Sequence, residues 1–258
     1  MEQRAALVAD TAMLAGTLIL ENGGETYRAE ETALRVCLAG GIVDPEIIAF
    51  PTGIFVSGNQ GLPDEKHGFM RVHRSSVHLA KLERTNAYCR RYVAGECTVE
   101  QLSTDLTALR ADARTVPFPL RVLLSALITA AFAVMLGGGV HGAWMALLCG
   151  IALRLVTDGM EKSANSAVSV NMAGGAAIAL TAVLLTHLTG RGDLDVIIVS
   201  SCMPILPGLA TLNAVRDAMC GDLVSGSARL LKALLMGVSL AAGAGLVLAV
   251  YVWLGGAV

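Results

Sequence analysis

The sequence predicts an α-helical integral membrane protein with five transmembrane helices and an N-terminal cytosolic α+β domain. Of the 258 residues, 54% are hydrophobic and 16% are charged, and the mean hydropathy is +0.63, which is unlike an ordinary soluble domain. The charges are also uneven, because residues 1–116 hold 12 of the 19 Lys and Arg and 15 of the 21 Asp and Glu. We therefore expect a cytosolic domain over 1–116 and a membrane domain over 117–258.

The second half of the chain contains five apolar segments. About 20 helical residues are needed to cross roughly 30 Å of hydrocarbon, and glycine, proline or charged residues bound each segment. The predicted spans are about 120–136, 142–157, 166–189, 194–215 and 230–254.

Lysine and arginine gather in one set of the connections between these spans, as cytoplasmic loops do. The only lysine or arginine in the loops on the opposite side is Arg191. With the N-terminal domain inside, an odd number of spans places Val258 outside the cell. No basic region precedes an apolar core at the start of the chain, so no cleaved signal peptide is expected. The residues of the basic set are Arg110, Arg114, Arg121, Lys162, Arg216, Arg229 and Lys232.

Apolar periodicity changes type along the first 116 residues and predicts the element order α-α-β-β-(β)-α-α. Gly23 and Gly24 are expected to end the first helix. Thr26 is expected to cap the second helix, and Thr98 the last one. The strand-like segments are 46–59 and 68–79, and the later helical segments are 77–95 and 98–113.

Two prolines interrupt the fourth predicted span. Pro204 and Pro207 each remove a backbone donor, so carbonyls near 200–203 are expected to lose their helical partners. Broken helices near the bilayer midplane are where secondary transporters often bind substrates and ions. Gly208 lets another backbone or a ligand come close, and a helix that begins near Pro207 would aim its amides into the break, which suits a carboxylate. The alternative is a kink that serves helix packing alone.

Polar side chains follow the break at the inner end of the fourth span. Asn213 and Asp217 share one helical face, where they can meet an ammonium or a coupling cation. Arg216 points elsewhere and can bind a carboxylate or pair with an acid. We expect these residues to form a cytoplasmic gate, the constriction that closes a transport pathway on its cytosolic side. The alternative is a helix end that an exposed ion pair anchors at the membrane interface.

Three further intramembrane polar residues are candidates for the same pathway. Arg154 and Asp158 lie one helical turn apart and can pair, either within the pathway or as an ion pair at the interface. Asn171 precedes Gly174 and Gly175, which is also typical of close helix packing. In the cytosolic domain, Glu25, Arg28 and Glu30 belong to one motif and are candidate functional residues, although a helix-start carboxylate and a surface ion pair would explain these charges as well.

Several classes of function have no support in the sequence. The net charge of −2, without a basic block, argues against nucleic acid. His67, His73 and His78 match no recognised ligand spacing, so neither a metal nor a cofactor is expected. The sequence contains no nucleophile motif of the kind that would predict an enzyme. No GxxxxGK[ST] loop is present, so transport would use an ion gradient or the gradient of the substrate itself.

Two long motifs resemble the bacterial threonine/serine exporter family. They are "NGGETYRAEETALRVCLAGGI" followed by "FPTGIFVSG", and "PILPGLATLNAVRDAMCGDLVSGSARL". The resemblance covers essentially the whole chain and is to the short form, with a soluble N-terminal domain and five spans. It implies export of amino acids such as threonine and serine, or of a dicarboxylate such as succinate in two-component relatives. It also implies a bacterial inner membrane protein that works with a small separate membrane subunit.

The leading hypothesis is therefore an exporter component in the lipid bilayer that moves a small carboxylate-bearing metabolite. One alternative is a membrane-anchored sensor or scaffold that acts through the cytosolic domain, and another is a membrane-embedded enzyme. The exporter hypothesis concentrates functional sensitivity between Pro204 and Asp217, whereas the scaffold hypothesis predicts that generic apolar helices can replace the spans.

Overall fold

The computed structural model describes residues 2–59, 66–73, 75–113, 116–162 and 166–256. The chain divides into two compact units. The first unit comprises Met1–Arg114 and Leu209–Leu231, and the second comprises Thr115–Gly208 and Lys232–Val258.

Ten helices and three strands make up the described part of the chain. The order α-α-β-β-β-α-α in the first half confirms the predicted order of elements. In chain order the elements are α1 (Glu2–Glu21), α2 (Thr26–Ala39), β1 (Glu46–Phe50), β2 (Gly53–Gly58), β3 (Lys66–Arg71), α3 (Leu79–Val93), α4 (Val99–Ala111), α5 (Phe118–Met135), α6 (Gly139–Glu161), α7 (Ala167–Thr189), α8 (Leu194–Cys202), α9 (Gly208–Met219) and α10 (Leu223–Trp253).

The first unit is built around α1, which is almost completely buried along its second half. An antiparallel sheet in the order β1-β2-β3 packs one face against this helix and α2. Strand alternation places Ala49, Ile54 and Val56 on the inner face. Burial of this apolar face provides the main stabilisation of the unit.

The helix caps agree with the sequence at one position and differ at another. Thr98 caps α4 in a capping box with Gln101, because its hydroxyl accepts a hydrogen bond from the Gln101 amide at 3.3 Å and the Gln101 side chain accepts one from the Thr98 amide at 3.0 Å. The prediction that Thr26 caps α2 is wrong. Glu25 occupies the N-cap position without a side-chain cap bond, and Thr26 is the first helical residue.

Within the described residues, four helices are long and apolar enough to cross a membrane, namely α5, α6, α7 and α10. The predicted span 194–215 instead contains two shorter helices, α8 with 9 residues and α9 with 12. Five transmembrane spans therefore stay a prediction.

Helices α7 and α10 cross closely in the second unit because both have glycine at the crossing. A Cβ added to Gly175 would overlap the carbonyl of Leu240, and one added to Gly243 would overlap the carbonyl of Met172. Small residues that let helix backbones approach are the usual basis of packing between apolar helices.

We expect Gly243→Ala to destabilise the protein by about 1–3 kcal/mol, because the new methyl group must push α10 away from α7. The melting temperature of the purified protein in detergent measures this loss. Gly237→Ala is the matched control on the same helix, since a Cβ there meets no other described element within 4 Å. Equal melting temperatures for the two variants would contradict the close crossing.

Candidate functional site

The turn between α1 and α2 presents backbone polar groups for binding. Gly23 has a φ of +86°, a left-handed conformation that ends α1 and that glycine adopts without strain. Gly24 has no space for a side chain, because a Cβ there would overlap Ile19 and crowd Leu82. The turn thereby leaves the Gly23 and Gly24 carbonyls and the Thr26 amide available to other elements of the first unit.

Helix α9 and the first part of α10 supply side chains to this turn. Asn213 and Asp217 lie on one face of α9, as predicted, and both are buried, with 4% and 0% of their surface exposed. Gly226 lets α10 approach α9, since a Cβ there would lie 2.8 Å from the Ala214 carbonyl oxygen. This approach places Arg229 of α10 beside Asp217.

Asp217 takes the place of the missing cap of α2. Its Oδ1 accepts a hydrogen bond from the Thr26 amide, and its Oδ2 accepts one from the Thr26 hydroxyl, both at 3.0 Å. A carboxylate at a helix N-terminus satisfies an otherwise unpaired amide and interacts favourably with the helix dipole. One turn earlier on α9, Asn213 donates from Nδ2 to the Gly23 carbonyl at 2.8 Å.

Arg229 neutralises the buried Asp217. Its Nε lies 2.9 Å from Asp217 Oδ2, and its Nη2 donates to the Gly24 carbonyl at 2.9 Å. Only 10% of the Arg229 side chain is exposed. A carboxylate without solvent contact needs such a partner, because burial of an unpaired charge is costly.

Glu25 is held between two arginines. Arg216 Nη1 donates to its Oε1, and Arg28 Nη1 donates to its Oε2 at 3.3 Å. Burial raises the pKa of the Glu25 carboxyl, but a hydrogen bond from its own backbone amide, the bond from Arg216 and the charges of both arginines outweigh burial, so the net pKa lies below its usual range. The Glu25 residue is 5% exposed, whereas the side chains of Arg28 and Arg216 are 40% and 52% exposed, so each pair joins a buried carboxylate to a partly exposed guanidinium.

These contacts join the two motifs of the sequence in one polar cluster. We use "polar cluster" for Glu25, Thr26, Asn213, Arg216, Asp217 and Arg229. The sequence identified four of its members as candidate site residues. It missed Thr26 as a partner of Asp217, and it missed Arg229, whose only signal was a charge just before the predicted fifth span.

Glu30 lies outside the polar cluster. Its Oε1 accepts a hydrogen bond from the Ala49 amide at 2.8 Å, which ties α2 to β1. Burial raises the pKa of the Glu30 carboxyl and outweighs this hydrogen bond, and the charges of Asp222 and Asp217 raise it further.

A raised pKa means that the folded state holds this proton at pH values where the unfolded chain has released it. Stability from Glu30 is therefore present below the usual pKa of 4.5 and is lost as pH rises through the folded-state pKa. We expect the melting temperature of Glu30→Gln to increase relative to that of the wild type as pH rises from about 4.5 toward neutrality. Glu31→Gln, at an exposed position paired with Arg35, is the control. A constant difference between Glu30→Gln and wild type would contradict the assignment.

Arg154 and Asp158 pair in the second unit, as predicted, with 3.5 Å between Nη1 and Oδ1. Arg121 of α5 also contacts Asp158, with Nη2 donating to Oδ2 at 2.8 Å. The Asp158 side chain is 1% exposed and therefore needs this compensation. Sequence spacing missed Arg121 because it is 37 residues away.

Asn171 donates from Nδ2 to the Met236 carbonyl of α10 at 3.4 Å, near the glycine crossing. This contact is consistent with the helix-packing alternative. A pathway role for Asn171, as for Arg154 and Asp158, stays a prediction.

The segment between α8 and α9 contains Pro204 and Pro207. The Ser200 carbonyl has lost its helical partner, as expected, because residue 204 is proline, and it accepts instead from the Met203 amide at 3.3 Å. The expected loss is wrong at Cys202, whose carbonyl keeps a helical bond from the Leu206 amide at 3.2 Å and also accepts from the Ile205 amide at 3.1 Å.

Gly208 begins α9 in open space. A Cβ added there would meet no atom of the other described elements within 4 Å, so no neighbouring backbone among them explains this glycine. Close approach of a ligand to Gly208 stays a prediction.

The four long apolar helices among the described residues place the chain in the class of helical membrane proteins. The chain belongs to the threonine/serine exporter family (ThrE), whose sequence profile matches residues 10–251. It is 27% identical over 182 residues to the threonine/serine exporter of Corynebacterium glutamicum. The aligned region covers 69% of this chain and 37% of that relative. The chain thus spans little more than a third of that relative's length. No solved structure matches the chain.

Proposed function

We propose that this chain is a component of a secondary-active exporter that moves a small carboxylate-bearing metabolite out of a bacterial cell. The substrate class is a threonine- or serine-type amino acid or a succinate-type dicarboxylate. The observation that carries the proposal is the polar cluster, in which the two sequence motifs bind each other through the buried carboxylates of Glu25 and Asp217. Family membership and the name of the Corynebacterium glutamicum relative support amino acid export.

The proposed topology has five spans in the bacterial inner membrane, with a cytosolic domain over 1–116, a membrane domain over 117–258 and the C-terminus outside. Contact of α9 with the turn at Gly23 supports a crossing by α8 and α9 together, because it requires the inner end of the fourth span to lie on the cytosolic side. Helix α10 has 31 residues, about 46 Å at 1.5 Å per residue, which suffices to cross the bilayer and extend into the cytosol. Val258, the proposed outer end, lies outside the described residues.

In this proposal the polar cluster is the closed state of the cytoplasmic gate. Arg216 and Asp217 are occupied by Glu25, Thr26 and Arg229 when the gate is closed. A substrate carboxylate can replace Glu25 on Arg216, and an ammonium or a coupling cation can replace Arg229 on Asp217. Charged groups that exchange partners in this way give two discrete states of similar energy, which a transporter requires.

The proposed substrate region is the segment with Pro204, Pro207 and Gly208 that follows α8 in the second unit. Two features support it. Ser201 is a buried hydroxyl in the last turn of α8. The amides at the start of α9 favour an anion. Arg154, Asp158 and Asn171 are proposed as further pathway residues because ionisable and polar groups within spans commonly mark transport routes.

We also propose a partner, a small membrane subunit of the same family. The resemblance of the two motifs to the short form of the family, which works with a small separate membrane subunit, supports this partner. An odd number of spans inverts any following repeat, so a partner with spans of opposite orientation would complete the paired repeats common in secondary transporters.

The test is efflux from proteoliposomes loaded with threonine, serine or succinate, with and without a candidate small subunit. We expect efflux of at least one substrate that depends on the subunit and on an imposed ion or substrate gradient. Liposomes with the small subunit alone provide the background. Lack of efflux for the whole panel, in a preparation whose two components co-purify, would contradict the exporter and favour the membrane-anchored sensor or scaffold.

A further inference from the structure

A cavity of about 710 Å³ lies between α2 and α3 in the first unit. This volume is within the usual range for small-molecule sites. Its apolar wall includes Leu82, Cys89 and Val93, which recur on one side of α3. Burial raises the pKa of the Cys89 thiol to about 12, so the sulfur is a neutral part of the wall and not a nucleophile.

Each of the two helices contributes a row of polar side chains to the cavity. Arg28, Thr32 and Arg35 lie on one face of α2, because residues four and seven apart share a helix face. On α3, three residues at the corresponding spacing line the opposite wall, namely Glu83, Asn86 and Arg90. A mixed-sign lining of this kind suits a ligand that carries both charges.

The row on α3 is not used by the protein itself. Among the described residues, the side chains of Glu83, Asn86 and Arg90 make no hydrogen bond or ion pair, and neither does that of Thr32. Arg35, by contrast, pairs with Glu31 at 2.6 Å, and Arg28 with Glu25. A carboxylate, an amide and a guanidinium on one helix face thus remain available to a ligand.

The distance between the charged groups along α3 indicates the length of a ligand that can contact both of them. Glu83 and Arg90 are seven residues apart, which is about 10 Å along the helix at 1.5 Å per residue. The ammonium and carboxylate of a free amino acid lie closer together than this spacing. An extended chain of three residues spans about 10 Å.

We propose that this cavity binds a short peptide of about three residues with free termini and apolar side chains. Glu83 binds the N-terminal ammonium, Arg90 binds the C-terminal carboxylate, and Asn86 bonds a peptide group between them. Leu82 and Val93 contact the apolar side chains of the peptide. This site is separate from the transport substrate and does not rest on the proposed export function.

Isothermal titration of the purified full-length chain with the tripeptide Leu-Ala-Leu tests the proposal. The N-acetylated tripeptide, the C-terminal amide and free leucine are titrated in parallel. We expect the free tripeptide to bind about tenfold or more tightly than each of the other three, because each lacks a charge or the required length. No heat from the free tripeptide at millimolar concentration, or equal binding of free leucine, would overturn the proposal.

Two variants test which side chain binds each terminus of the tripeptide. Glu83→Gln is expected to weaken binding of the free tripeptide about tenfold, and acetylation of the N-terminus is then expected to weaken binding no further. Arg90→Gln is expected to weaken binding of the free tripeptide by the same factor, and amidation of the C-terminus is then expected to weaken binding no further. Both positions are exposed, so folding is expected to be retained, and an unchanged melting temperature checks this. Arg91→Gln, at the neighbouring exposed arginine outside the cavity, is the matched control. Wild-type affinities in Glu83→Gln and Arg90→Gln would overturn the assignment whether or not the protein exports.

Discussion

Asp217→Asn is expected to abolish efflux and also to lower the stability of the protein. The asparagine can still accept the hydrogen bond from the Thr26 amide, but the loss of charge leaves Arg229 buried without a counterion. Removal of one partner from a buried ion pair costs about 3–5 kcal/mol. Efflux rates must therefore be read beside melting temperature and membrane abundance.

The double variant Asp217→Asn with Arg229→Gln separates the two effects. It removes both charges of the buried pair, so we expect stability to recover toward that of the wild type while efflux remains absent. Asp195→Asn, at an exposed carboxylate in the first turn of α8, is the control for a single lost charge. Wild-type efflux by the double variant would show that Asp217 only stabilises the fold and would contradict its role in the gate.

Glu25→Gln and Arg216→Gln are each expected to slow efflux strongly with little loss of stability. Arg216 is half exposed, so water can solvate it when Glu25 loses its charge. If the two residues act only through their contact, the double variant will be no slower than the slower single variant. The measurement is initial efflux rate in a double-mutant cycle, with melting temperatures recorded for all four proteins.

Arg28→Gln is the matched control for this cycle. It removes the other arginine on Glu25, which lies at a partly exposed i,i+3 pair worth about 0–1 kcal/mol, and leaves the contact with Arg216 in place. We expect efflux close to wild type. Efflux that falls in proportion to melting temperature across all these variants would contradict a specific role for the Glu25–Arg216 contact.

Local patterns in the sequence were sufficient to predict the order of elements in the first 116 residues and the four helices that are long enough to cross a membrane. Both depend on interactions within a few residues, namely side-chain periodicity, glycine at helix ends and the capping box at Thr98. The shared face of Asn213 and Asp217 follows from the same helical spacing. The family resemblance was likewise present in contiguous motifs, and the match over residues 10–251 confirmed it.

The partners of those side chains were decided by packing over long distances in the chain. Asp217 binds Thr26 across 191 residues, and Asp158 binds Arg121 across 37, separations for which no spacing rule exists. The predicted cap at Thr26 was wrong for the same reason, because capping rules assume a local acceptor and α2 receives its acceptor from α9. A buried carboxylate must find whatever cation or amide the folded chain places beside it, and only the tertiary structure determines that neighbour.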